Sequence, residues 1–138
     1  MKVMAVDYGD ARTGIALSDP SGFLASPVCV IHETDEKRIL SKTAEQVKNL
    51  CAERVVVGLP KNMNGTLGPR AEKAQVFAEA LQEICGVQVD LFDERRTTIA
   101  AQVYFNATNV RGKKRKEKID AAAAMIILQD YLDAHQGK

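Results

Sequence analysis

The stretch Lys2-Val3-Met4-Ala5-Val6-Asp7-Tyr8-Gly9 runs an apolar segment directly into a carboxylate and a glycine. An apolar run without polar alternation suits a short strand buried on both faces, as a central strand of an α/β sheet is. Such a strand is expected to end at Asp7. Beyond the turn Tyr8-Gly9-Asp10-Ala11-Arg12, residues 13–18 set Ile15 and Leu17 among smaller residues, and residues 22–31 follow the turn Pro20-Ser21-Gly22. Both read as further strands of an antiparallel meander.

Farther along, the pattern changes period. In residues 35–51, Ile39, Leu40, Thr43, Val47 and Leu50 fall on one face of an amphipathic helix. Residues 54–58 hold three consecutive valines and predict a second buried strand, which feeds a loop through Asn64-Gly65. Gly68-Pro69 then opens a helix whose stripe is Ala74, Phe77, Ala78, Leu81, Ile84 and Cys85, with Gly86 as its stop. Residues 87–92 alternate as a fifth strand. A short helix over residues 99–105 and a final one over about residues 120–135 complete the chain. Strands alternating with helices imply a parallel half, and the meander an antiparallel half. The expected fold is therefore α/β, three layers around a mixed five-stranded sheet.

The chain has 138 residues, 46% of them hydrophobic, which suits one core and one domain over residues 1–138. Its start lacks the apolar length of a signal peptide or membrane span, so a cytoplasmic protein is expected. Cys29, Cys51 and Cys85 have no paired spacing, and His32 and His135 are the only histidines. A zinc ribbon or disulfide framework is excluded, and reduced thiols are expected. The net charge of +1 conceals an uneven distribution. Residues 111–118 carry six positive side chains and one negative, a local +5, leaving −4 on the remainder. A mildly acidic body therefore bears one concentrated basic segment.

Three acids stand out. Asp7 and Glu94 each follow an expected buried strand, and in open α/β sheets the functional crevice lies at the carboxyl ends of the strands. Asp120 heads a helical stripe with Ala123, Ala124, Ile127, Leu128 and Tyr131. It also suits a helix N-cap, and spacing alone leaves both uses open. The alanines at 121–124 would let the helix start approach the sheet closely. A carboxylate cluster without histidine or cysteine partners is an oxygen-only site, which favours magnesium or manganese over zinc. Phosphodiester hydrolysis is a natural use of such a site. The serines lack an evident histidine base, so a serine hydrolase has little support.

Four motifs in order, Asp7-Tyr8-Gly9 with Arg12 and Gly14, Val57-Gly58-Leu59-Pro60 with Asn62-Met63-Asn64-Gly65-Thr66, Asp93-Glu94-Arg95 with Thr97-Thr98, and Ile119-Asp120 with the alanines, resemble the YqgF (RuvX) family. These are Holliday junction resolvase-like nucleases of the ribonuclease H-like superfamily, and the resemblance covers nearly the whole chain. It implies a ribonuclease H-like fold, a nuclease role in maturing the 5′ end of precursor 16S ribosomal RNA, and Asp7, Glu94 and Asp120 as catalytic and metal-holding carboxylates. Resolution of branched DNA is the alternative function, and a nucleic-acid-binding module without turnover is a further one; the protein is expected to be a monomer or a weak homodimer.

The basic residues Arg111, Lys113, Lys114, Arg115, Lys116 and Lys118 precede Asp120 and could hold phosphates beside it, or form a solvated loop. Arg12 and Arg95 adjoin the proposed acids and are further candidates for phosphate contact, although arginines beside carboxylates also serve as structural ion pairs. With three tyrosines and four phenylalanines, an extended base-stacking platform is not expected. An ATP-binding kinase of the actin-like superfamily would also use an aspartate and glycine near its start, but needs two such domains to close around the nucleotide.

Overall fold

A computed structural model describes residues 1–59, 68–93 and 112–136, with the side chains of the last helix described at positions 121 and 123–134. The first strand, β1 (Val3–Asp7), is the middle of the sheet. β2 (Arg12–Ser18) and β3 (Ala25–His32) pair antiparallel on one side of it, while β4 (Arg54–Leu59) and β5 (Gln88–Asp93) add in parallel on the other. The order is β3-β2-β1-β4-β5. Pro27, which cannot donate to a ladder, sits on the edge strand β3, where its missing donor costs no pairing.

Two helices cover one face. α1 (Glu36–Asn49) begins at Asp35, whose carboxylate accepts from the Lys37 backbone N–H at 3.3 Å. Of its expected stripe, Ile39, Thr43 and Val47 are buried, and Leu40 and Leu50 lie at the margin. α2 (Pro69–Cys85) starts on Pro69 and ends where Gly86 adopts φ 72°, a left-handed conformation that glycine enters without a Cβ penalty. Ala74, Phe77, Ala78 and Leu81 are buried as the stripe requires, but Ile84 is 58% exposed. It borders a surface groove with Cys51 instead of joining the core.

Among the described residues, the opposite face carries one long helix, α3 (Gly112–Gln136). It begins eight residues earlier than its apolar stripe, so the basic segment from Gly112 onward is helical rather than a loop. Lysine, arginine and glutamate are good helix formers, and extending a helix already nucleated and docked costs little per residue. The expected helix over residues 99–105 lies outside the described residues.

Strand alternation divides the core in two. Met4, Val6, Val55 and Val57 face α1 and α2, whereas Val3, Ala5, Ala16 and Val56 face α3 and meet Ala124, Ile127, Leu128 and Tyr131. β1 is thus buried on both faces, as its unbroken apolar run requires. β5, expected to be buried, is the other edge of the sheet and has no fully buried residue, because only β4 flanks it.

Candidate functional site at the strand ends

Asp7 closes β1 opposite Gly14 of β2 and is partly buried. By alternation it shares the face of Val3 and Ala5, the face that α3 covers. Tyr8, next in the chain, packs against the core on the α1 and α2 side. The turn that follows is tight: a Cβ on Gly9 would overlap the Arg12 carbonyl oxygen. Gly9 donates its N–H toward Thr13 Oγ1 at 3.5 Å, and Thr13 is fully buried, which pins the turn to the sheet. Arg12, the first residue of β2, stands across this turn from Asp7.

The direction of α3 follows from its contacts. Gln129 donates to the Phe23 carbonyl at 2.9 Å and accepts from the Ala25 N–H at 3.0 Å, beside Ser18, whose hydroxyl oxygen accepts from the Val3 N–H at 2.8 Å. Tyr131 donates its hydroxyl to Asp90 at 2.8 Å and accepts from Arg54, which pairs with Val3, at 3.2 Å. Both residues therefore lie toward the amino end of β1, and α3 runs antiparallel to that strand. The nine residues back from Gln129 to position 120 rise about 14 Å along the helix. The four steps from Val3 to Asp7 span about 13 Å along the strand. On these rises, with α3 aligned antiparallel to β1, helix position 120 would come level with Asp7. It also stands one turn before Ala124, which packs against the sheet.

Close approach is possible because small residues oppose each other. Ala5 and Ala16 are register partners with no exposure, and Ala121 and Ala124 of α3 are buried as well. Asp120 lies in the third turn of α3, so it is not an N-cap.

Asp93 ends β5 beside Leu59 of β4 and alternates with Val89, which packs on the α1 and α2 side. It therefore faces away from α3. Glu94, Arg95 and Arg111 lie outside the described residues; Lys113, Lys114, Arg115, Lys116 and Lys118 occupy the first two turns of α3. Among the described residues no group of three or more histidine, cysteine, aspartate or glutamate side chains is placed to hold a metal; of the three expected acids, only Asp7 has its side chain among them. No helix among the described residues is long and apolar enough to cross a membrane.

On the other side of the sheet end is a feature that periodicity does not announce. Tyr8 and Phe77 stack with ring centroids 4.4 Å apart and planes 8° apart. Above them a groove opens between the start of α1 and the first three turns of α2. Sequence reasoning takes Tyr8 for a turn residue and Phe77 for core. The signal available was an aromatic residue directly after the strand-end acid.

A five-stranded sheet with an antiparallel meander on one side of β1, parallel strands on the other, two helices on one face and a long terminal helix over the strand end defines a ribonuclease H-like fold. Among solved structures, Thermus thermophilus RuvC in complex with a Holliday junction substrate superposes with a TM-score of 0.67 at 17% identity, covering 99% of this chain and 97% of that one. The family model RuvX, described as Holliday junction resolvase, matches residues 1–134, and the chain belongs to that family. Curated relatives include proteins of Listeria monocytogenes, 47% identical over 96% of this chain and 98% of theirs, and of Bacillus subtilis, 43% identical over 97% and 99%. Both bear the name "Putative pre-16S rRNA nuclease".

Proposed function

We propose that this chain is a cytoplasmic, metal-dependent phosphodiester hydrolase that trims the 5′ end of precursor 16S ribosomal RNA, acting as one domain. The observation that carries this reading is the partly buried Asp7 at the carboxyl end of the central strand, on the face that α3 covers. The names of relatives at 43% and 47% identity supply the substrate.

Asp7, Glu94 and Asp120 would hold magnesium or manganese. The oxygen-only chemistry of this donor set, with a partly buried carboxylate at a strand end, fits a hard divalent cation. Such a cation, when bound, makes an attacking water acidic and offsets charge on the leaving oxygen. The chain's own groups position the phosphodiester. Glu94 is the partner of Asp7 in this reading because Asp93 faces the opposite side of the sheet. Arg12 and Arg95 contact phosphate beside the acids. Arg111, Lys113, Lys114, Arg115, Lys116 and Lys118 hold the strand on either side through its backbone.

The family description favours a second reading, resolution of branched DNA, with the same acids in the same roles. Single-turnover cleavage with magnesium compares a precursor RNA and a four-way DNA junction against wild type and Asp7→Asn. RNA cleavage that falls about 100-fold or more in the variant is expected. Equal rates in the two proteins would assign the cleavage to a contaminant or another site, and cutting confined to the junction would favour the second reading.

A further inference from the structure

The groove above Tyr8 and Phe77 has a volume of about 490 Å³. Phe77 is 7% exposed, so Tyr8 covers it and itself lines the groove. Leu40, Val76 and Ala80 form apolar walls. The rim is charged in both signs, with Glu36 and Lys37 from α1 and Glu72 and Lys73 from α2. Lys73 also reaches Asp10 of the β1–β2 turn at 3.7 Å, which ties the start of α2 to the end of β1.

We propose that this groove is a subsite for one unpaired nucleobase of the substrate strand, stacked on Tyr8 while the phosphate to be cut lies at Asp7. The assignment rests on the nuclease reading above. Consecutive Cα atoms are about 3.8 Å apart, so the groove and the acid sit on opposite sides of one peptide unit at the end of β1. A strand crossing the sheet end can present a phosphate to one side and turn a base to the other.

The chemistry of the groove matches a base in three respects. Its floor is an aromatic pair, and every base has a face that stacks on an aromatic ring. Its carboxylates can accept from exocyclic amino groups, as glutamate does from cytosine. Its ammonium groups can meet the flanking phosphates. The volume lies in the range of pockets that enclose small ligands. A single stacking position also agrees with the scarcity of aromatic residues in the chain.

A binding cycle on the full-length, metal-free protein tests this. Affinity for a short single-stranded RNA is measured by anisotropy, with an abasic nucleotide stepped through the strand, for wild type, Tyr8→Leu and Val76→Trp. One abasic position should cost wild type about tenfold in affinity. Tyr8→Leu should lose a similar factor on the intact strand and show no further loss with the abasic one. Val76→Trp, at a position 65% exposed, fills the groove without disturbing the core and should behave alike. An abasic penalty equal at every position, or one that survives unchanged in folded Val76→Trp, overturns the assignment and leaves the groove to a protein partner. Free mononucleotides that bind as tightly as the strand overturn it in favour of a nucleotide site. Because no metal or cleavage enters the measurement, failure of the nuclease reading shows separately, as intact RNA when magnesium is added to wild type.

Discussion

Asp19 shows how a single carboxylate organises a turn. Its oxygens accept from the Phe23 N–H at 2.8 Å, the Leu24 N–H at 3.0 Å and the Ser21 hydroxyl, and these donors hold its pKa down to about 2. The folded value lies below the unfolded one of 3.8, so the contribution to stability is complete above about pH 4 and is lost as pH falls toward 2. A carboxyl NMR titration should show Asp19 with a midpoint near 2, and Asp19→Asn should flatten the acid limb of the stability profile. A midpoint near 3.8 would mean the donors are not engaged. At Gly9 the constraint is steric. Gly9→Ala must displace the Arg12 carbonyl, and a loss of about 1–3 kcal/mol by denaturant unfolding is expected from forced overlap of this kind. A neutral outcome would show that the turn can open. The same residue scale separates Asp7 from Tyr8, neighbours that alternation sends to opposite faces of the sheet.

Among the elements, α3 carries the largest difference from expectation. Its first turn holds lysines and an arginine but no acid, and cations at a helix amino end oppose the macrodipole. The unfavourable dipole term is one that a polyanionic partner would offset. Replacing Lys113, Lys114, Arg115 and Lys116 with glutamine should leave thermal stability unchanged or slightly raised. It should also reduce the slope of log affinity against log salt for single-stranded RNA by up to about 3. An unchanged slope would return the segment to a solvated role. At the far end of the same helix, Tyr131 is 4% exposed and bridges Arg54 and Asp90, while its ring meets Phe92 edge-on at 5.9 Å. Tyr131→Phe keeps the ring packing and removes the bridge, so a cost of about 1 kcal/mol in chemical denaturation is expected. No change would mean that water replaces the hydroxyl at this edge of the sheet.

For the molecule as a whole, the proposed acidic site couples metal to folding. Carboxylates gathered at one point repel one another until a cation compensates them, so Asp7→Asn should be as stable as wild type or slightly more so without metal. Manganese should raise the unfolding temperature of wild type, because it binds the folded form, and should raise that of the variant much less. An equal shift in both proteins would place the metal elsewhere. The pattern of apolar and polar residues, unbroken in β1 and β4 and periodic or turn-bounded elsewhere, was enough to announce β1 through β5, α1 and α2, because each segment records its own burial locally. Asp7 was legible for the same reason, as the residue where an unbroken apolar run stops. For Asp120 the spacing left a stripe and an N-cap open, and its position inside the helix was not legible, since how far a helix extends depends on the docked turns that nucleate it. The edge position of β5, the exposure of Ile84 and the groove over Tyr8 and Phe77 were decided by tertiary structure alone. Periodicity states which side of an element is apolar; which other element covers that side, and where two helix starts leave a gap, is settled only when the layers pack.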